Sequence, residues 1–278
     1  MTPVSRADAY AVIGNPVRHS LSPQIHSQFA AQTNQPICYE AIETDESTLE
    51  SCLQDLRQRG YLGLNITVPL KEKVWKLCDQ ISPRADNAKA VNTLSFMPNG
   101  ELVGDNTDGV GLTRDLIANL GVTPKNQHIL VLGAGGAVRG VLGPILAQAP
   151  ESLTIANRTI EKAEKLAADF ADMGPVRVSA YADLGATRYD LIINGTSAGL
   201  SKEIPPIPDE IISPRSVCYD MVYSRSGRTA FVDWAYSQGA THSFDGLGML
   251  VEQAAESFRI WRGMQVSTTD IIRSLRSS

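Results

Sequence analysis

Four short segments of this chain carry polar side chains that could meet a ligand. They are HSLS (Ser20, Ser22), NITVPLK (Asn65, Thr67, Lys71), AVNTL (Asn92) and GDNTDG (Asp105, Asp108). Together they offer hydroxyl and amide groups, an amine and a carboxylate. That set suits a small polyhydroxylated acid better than an apolar ligand, because each substrate hydroxyl needs its own donor or acceptor. Each residue also has a plainer reading: Ser22 and Asp108 as helix N-caps, Lys71 as a surface lysine.

A second kind of chemistry is written in Gly133-x-Gly135-Gly136, which follows the apolar run ILVL and opens a helical pattern. Gly133 allows a tight turn, Gly135 lets backbone approach a pyrophosphate, and the N–H groups at the helix start hold it. The alternative is a strand-to-helix turn with no ligand. The sixth position of the general pattern is Val138, where glycine or alanine is usual for helix–strand packing. About 20 residues on, at the end of the next strand, an NAD-preferring domain carries an acid for the ribose hydroxyls. Here the residues are Asn157, Arg158 and Thr159, with Lys162 one helical turn further. A guanidinium can grip a 2′-phosphate in a fork and stack on adenine, so the site predicts NADP rather than NAD. The plainer reading of Arg158 is a solvated surface arginine.

Elements must place these groups. YAVIG, CYEAIE and YLGLNITVP read as strands, and VNTLSF and ELVG as a hairpin about Pro98-Asn99-Gly100. Pro23 behind Ser22 starts a first helix, Leu49, Cys52, Leu53 and Leu56 share one face of a second that Gly60 ends, and Pro69 starts a third. From Asp108 the pattern becomes helix, then strand–glycine turn–helix, then LTIANR, VRVSAY, YDLIING and SVCYDMVY as further strands. That alternation predicts a parallel sheet covered by helices. Pro144 falls inside the helix after the glycine turn and predicts a local irregularity. GLGMLVEQAAESFRIW reads as an amphipathic helix with Leu247, Leu250, Val251, Ala254, Phe258 and Trp261 in one stripe.

The fold expected is therefore α/β, an N-terminal α/β substrate domain (1–107) followed by a Rossmann-type, doubly wound parallel-sheet NADP domain (108–245). The C-terminal helices (246–278) are expected to return to the first domain. With 278 residues, 43% of them hydrophobic, there is material for about two cores. The net charge of −5 without runs of like charge gives no arm for nucleic acid. No apolar run approaches the roughly 18 residues that span a bilayer. The start of the chain lacks a secretory pattern, and Cys38, Cys52, Cys78 and Cys218 form no metal or redox spacing. A cytoplasmic protein with no metal is expected. The four histidines are scattered and read as structural.

GNPVRHSLSPQIH, NITVPLKEKV, AVNTL, GDNTDGVG, GAGGA, NRT, YDMVY and DGLGMLVEQA occur in the order found in shikimate dehydrogenases, and the chain closely resembles that family from about Tyr10 to Trp261. The resemblance implies reversible NADPH-dependent reduction of 3-dehydroshikimate to shikimate, in the chorismate route to aromatic amino acids. It implies Ser20 and Ser22 at the substrate carboxylate with Tyr223 nearby, and Asn65, Thr67, Asn92, Asp108 and Gln253 on the ring hydroxyls. Lys71 and Asp108 would be the catalytic pair. Gly133, Ala134, Gly135, Gly136, Ala137, Asn157, Arg158, Thr159, Lys162, Met221 and Gly246 would line the cofactor. Departures are Val138 where many relatives have alanine, NGTSAGL in place of an Asn-Ala-Thr form, and Val222 between Met221 and Tyr223. A small-molecule substrate is the partner implied, and the assembly a monomer or homodimer.

Alternatives stay open at this point. A quinate/shikimate dehydrogenase of broader specificity would differ in pocket shape. A glutamyl-tRNA reductase would need a catalytic cysteine near the N-terminus and a long helical region. A non-enzymatic NADP-binding sensor would have no use for Lys71 with Asp108.

Overall fold

The structure is a computed structural model that describes residues 7–185, 187–196 and 203–277. Two units divide the chain, and neither is one continuous stretch. The first takes the chain up to Thr107 together with Gln253–Ile271; the second takes Asp108–Glu252 and the segment from Ile272 onward.

In the first unit, β1 (Asp8–Gly14), α1 (Ser22–Thr33), β2 (Ile37–Glu43), α2 (Leu49–Gln58), β3 (Tyr61–Ile66), α3 (Lys71–Leu77), β4 (Gln80–Ile81), α4 (Pro83–Ala88), β5 (Thr93–Phe96) and β6 (Leu102–Asp105) follow in order. The sheet order is β2-β1-β3-β5-β6-β4. β1 runs parallel to β2 and β3, while β5 is antiparallel to β3 and β6. Gly100 turns the β5–β6 hairpin with φ of 96°. Ala11, Ile13, Leu64, Ile66 and Leu94 form the core with Leu49, Leu53 and Leu56 of α2, the face its spacing predicts. Two helix starts differ from the sequence reading. Leu21, not Ser22, caps α1, because Ser22 already has helical geometry there. Pro69 precedes α3, which begins at Lys71 behind Leu70. The pair β4 and α4 is additional, with Ser82 accepting from the Ala85 N–H and Pro83 behind it.

His26 of α1 is fully buried, stacked at 4.2 Å on the Tyr39 ring, and neither ring nitrogen has a hydrogen-bond partner among the described residues. Burial pushes its pKa down to about 3. The folded form is neutral, and the unfolded chain takes a proton near pH 6.5. Stability from this group is therefore present above about pH 6.5 and is lost as pH falls toward 3. Between pH 7 and pH 5 the loss is about 2 kcal/mol. Urea unfolding at the two pH values should show that loss in the parent and a correspondingly flatter dependence in His26→Phe. Equal slopes would mean that the ring finds a partner in the folded state.

In the second unit, α5 (Asp108–Arg114) runs into a π-helical turn at Asp115–Asn119. Then come β7 (His128–Leu132), α6 (Gly136–Leu146), β8 (Ser152–Ala156), α7 (Ile160–Asp169), β9 (Val176–Ser179), β10 (Leu191–Asn194), β11 (Val217–Asp220), α8 (Ala230–Ser237), β12 (His242–Asp245), α9 (Leu247–Arg262) and α10 (Thr269–Ser277). All six strands are parallel, in the order β12-β11-β10-β7-β8-β9. Strands covered on both faces are apolar throughout, as Ile129–Leu132 and Leu191–Ile193 are. The strand order reverses between β7 and β10, which is where such sheets bind nucleotides. β12 is a strand that the sequence reading passes over. The helix α6 continues across Pro144 to Leu146.

The division between the units falls inside α9. Leu247–Glu252 and the segment from Ile272 onward go with the second unit, and Gln253–Ile271 with the first. Met249 lies in the second unit's core and Arg276 pairs with Asp245. α9 is not a simple amphipathic helix: residues 251–258 are all buried, polar ones included. Each polar side chain there has a partner in its own unit: Glu252 accepts from Asn119, Gln253 from Asn92, Glu256 from Arg84, and Ser257 bonds Thr93.

Candidate active site

In the first unit the polar segments gather at one edge of the sheet. They leave the C-terminal ends of β1, β3 and β6 and the start of β5, which runs the other way. The Ser22 N–H donates to the Ser20 hydroxyl at 3.2 Å, and that hydroxyl donates to Ser22 Oγ at 3.1 Å. Asn65 is buried on β3. It takes a hydrogen bond from the Tyr39 hydroxyl at 2.7 Å and donates to the Asn92 carbonyl and to Ser257 Oγ. Asn92 donates to Thr107 Oγ1 at 2.9 Å and Gln253 Oε1 at 3.2 Å, and its own oxygen accepts from the Thr107 N–H at 2.8 Å. So Asn65, Asn92 and Gln253 come together, each amide held in one orientation. Thr67 follows β3 with its N–H on the Ile13 carbonyl. Lys71 is the first residue of α3, and its carbonyl accepts from the Val91 N–H, which ties the helix start to the Asn92 segment.

Sequence reasoning misses Thr93, Thr107 and Ser257, which complete this network. It also misses Arg84, whose guanidinium forks onto Asp105 at 2.6 and 2.8 Å and reaches Glu256 at 3.1 Å. Asp105 thereby has a structural duty, holding the end of β6.

In the second unit Asp108 is the buried first residue of α5. At the glycine turn, Gly133 has φ of 105°, and a Cβ there would press on the Gly195 carbonyl. Gly135 caps α6 with open space where a Cβ would stand, and no side chain caps the helix. Ala134 is half-buried, while Gly135, Gly136 and Ala137 are exposed. The first turn of α6 holds no acid, so its N–H groups are suited to a pyrophosphate. Arg158 and Lys162 are exposed beyond β8, and no hydrogen bond or ion pair holds the Arg158 guanidinium among the described residues. Asn157 donates to the Thr159 carbonyl, which shapes the turn carrying Arg158. An uncapped helix start and uncommitted cations at the end of the neighbouring strand fit NADP(H).

Two departures from the family pattern explain each other. A Cβ on Gly195 would lie 2.5 Å from Val138 Cγ2. Val138 is fully buried, and a β-branched side chain in a helix has one strongly preferred rotamer. The larger residue on α6 therefore uses the space left by the smaller one after β10. Gly195→Ala alone should destabilise by about 1–3 kcal/mol, and Val138→Ala in the same chain should recover much of it. Thermal unfolding of the two singles and the double measures this; additive losses would separate the two positions. Residues 197–200 of the same NGTSAGL segment lie outside the described residues.

Met221, Val222 and Tyr223 follow β11. The Met221 N–H donates to the Asn194 carbonyl, and a Cβ on Gly246 would lie 2.5 Å from the Met221 carbonyl. Only glycine allows that approach. Burial pushes the Tyr223 phenol up, against the pull of Arg225, so it is a neutral hydroxyl at ordinary pH. Among the described residues no group of three or more His, Cys, Asp or Glu side chains is placed to hold a metal, and no helix is long and apolar enough to cross a membrane.

Residues 12–94, 117–204 and 246–276 match, respectively, the families described as the shikimate dehydrogenase substrate binding domain, shikimate / quinate 5-dehydrogenase and the shikimate 5′-dehydrogenase C-terminal domain. A shikimate dehydrogenase (NADP(+)) of Methylococcus capsulatus is 49% identical over 274 residues, 99% of this chain and 98% of that one. The chain belongs to the shikimate dehydrogenase family. Two solved structures share this shikimate dehydrogenase fold over nearly the whole chain. An Ael1 enzyme from Pseudomonas putida has a TM-score of 0.91 at 42% identity, covering 97% of this chain and 98% of its own. A shikimate 5-dehydrogenase from Thermus thermophilus, solved in complex with NADP(H) and shikimate, has a TM-score of 0.86 at 34% identity, covering 97% and 99%.

Proposed function

We propose that this chain, an NADP-dependent oxidoreductase acting on a CH–OH group, catalyses the reversible reduction of 3-dehydroshikimate to shikimate on the route to chorismate. The observation that carries the reading is the buried amide cluster of Asn65, Asn92 and Gln253, with the start of α3 at Lys71 tied by its carbonyl to Val91 next to Asn92, in a chain whose second unit carries the Gly133–Ala137 turn and Arg158. Such amides suit a polyol ring. The same reading assigns the carboxylate to Ser20, Ser22 and Tyr223, and ring hydroxyls to Thr67 and Asp108 as well.

NADPH, when bound, supplies the hydride; the pyrophosphate would lie on the N–H groups of α6 and the 2′-phosphate on Arg158, with Asn157, Thr159 and Lys162 around it. Met221 and Gly246 would line the cofactor's other end. Reduction of the ketone then needs one proton on the oxygen where negative charge builds. In the proposed mechanism Lys71 and Asp108 are the catalytic pair. Lys71 supplies the proton and stabilises the developing anion, and Asp108 fixes a neighbouring hydroxyl. In the oxidising direction the same groups take the proton back. The reading carries with it a cytoplasmic site of action and a monomer or homodimer.

Initial rates with shikimate and quinate, each paired with NADP⁺ and NAD⁺, test the proposal. NADPH formation from shikimate is expected, with kcat/KM at least about tenfold above every other pairing, a difference of about 1.4 kcal/mol in the barrier. Equal rates on quinate would favour the broader enzyme. No reduction of NADP⁺ with either acid would favour a cofactor-binding sensor.

A further inference from the structure

The segment Met221–Ser224 leaves β11 at Asp220. Its first half is held locally, the Met221 N–H on the Asn194 carbonyl and the Val222 N–H on Asp220 Oδ1 at 3.2 Å, and its last residue, Ser224, is held from the far end of the chain. Arg276 of α10 forks onto Asp245, with Nη1 donating to Oδ2 at 2.8 Å and Nη2 to Oδ1. The same Nη1 donates to the Ser224 carbonyl at 3.0 Å, and the Ser224 N–H returns to Asp245 Oδ2 at 2.8 Å. Ser224 thus has both its main-chain groups tied to one ion pair. The Ser224 carbonyl also takes the Gly227 N–H at 3.0 Å, closing a turn whose glycine, at φ of 72°, lies against the guanidinium. On the other side of Asp245 is Gly246, whose N–H donates to the Val222 carbonyl at 3.0 Å and whose Cα abuts the Met221 carbonyl.

The Asp245 side chain has no exposed surface, whereas Arg276 is about one-third exposed at 32%. The acid is a fixed anchor, and the arginine is the cation that neutralises it and reaches past it to the loop. A lysine could neutralise Asp245 but could not present a planar fork to both carboxylate oxygens and a carbonyl together.

We propose that Arg276 is a positioning residue for the reaction: it sets the place of Met221 and Tyr223 relative to Gly246, and with them the floor under the reactive half of the cofactor. The inference rests on the proposed cofactor and substrate roles of those three residues. None of the bonds above involves the Arg158 end of the nucleotide site.

The test compares Arg276→Met and Arg276→Lys with the parent, at a temperature where each is folded by circular dichroism. Two ligands are titrated: NADP⁺, which covers the whole cofactor site, and 2′,5′-ADP, which covers only the Arg158 half. Arg276→Met is expected to lower kcat for shikimate oxidation about tenfold and to weaken NADP⁺ several-fold, while 2′,5′-ADP binds within about twofold of the parent. Arg276→Lys, with Asp245 still neutralised, should keep thermal stability near that of the parent and yet show an intermediate loss of kcat. Parent-like kcat and NADP⁺ affinity in Arg276→Lys, with Arg276→Met losing thermal stability and 2′,5′-ADP affinity together, would overturn the proposal and leave a structural ion pair. A parent that binds NADP⁺ but does not oxidise shikimate would count against the proposed function instead. The contrast between the two nucleotides would then still decide the role of Arg276.

Discussion

Replacing Lys71 by alanine is expected to lower kcat by about 10²–10⁴-fold while the KM for shikimate moves only a few-fold. The expectation follows from where the side chain starts. Lys71 opens α3 with its own carbonyl bonded to the Val91 N–H, a main-chain contact that alanine keeps. The Asn65–Asn92–Gln253 cluster takes its bonds from Tyr39, Thr93, Thr107 and Ser257. Truncation therefore removes an ammonium and leaves the amides in place. If Lys71 gives its proton only as the oxygen gains charge, the loss appears in kcat rather than in binding. Steady-state kinetics with calorimetric titration of shikimate would separate the two. Near-normal turnover with poor affinity would assign the amine to binding alone. Arginine should not restore the rate, since its guanidinium keeps its proton at any working pH.

Arg158→Asp should raise the KM for NADP⁺ by about 100-fold and leave that for NAD⁺ unchanged or lower. An acid at this place repels a 2′-phosphate and can accept from ribose hydroxyls. Arg158 is exposed and makes no bond among the described residues, so thermal stability should not change. That makes the cofactor ratio a clean readout. Equal effects on both cofactors would mean that the guanidinium serves the adenine common to them, by stacking, rather than the phosphate.

The setting of Arg158 and of the glycine turn was legible because it is local, whereas Lys71 stood out only through the family resemblance. Arg158 sits at a strand end that the apolar run Leu153–Ala156 announces, and Gly133–Gly136 follows another such run. The doubly wound sheet was legible for the same reason: strands buried on both faces are apolar at every position. What stayed hidden is carried by pairs far apart in the chain. Thr93, Thr107 and Ser257 are ordinary residues until β5, β6 and α9 bring them onto the same two asparagines. Arg276 and Asp245 lie 31 positions apart and follow no period. α9 misleads a reading by stripes, because Glu252, Gln253, Glu256 and Ser257 are buried by being satisfied rather than by being apolar. β4 is two residues long and offers too little pattern to register. The Ser82–Pro83 cap ahead of α4 was a usable signal that the hydrophobic pattern overshadowed.

The division of α9 between Glu252 and Gln253 bears on how the chain is made. A ribosome finishes the strands of the first unit by Thr107, but the helix that fills the unit is still to come. Until then Thr93 lacks Ser257, Asn92 lacks Gln253, and Tyr10 lacks the Trp261 ring that stacks on it at 4.8 Å. At ordinary elongation rates those residues emerge about 7–30 s later. The unit that leaves the ribosome first thus waits, with Asn92, Thr93 and Tyr10 short of their partners on α9, until the second has been synthesised.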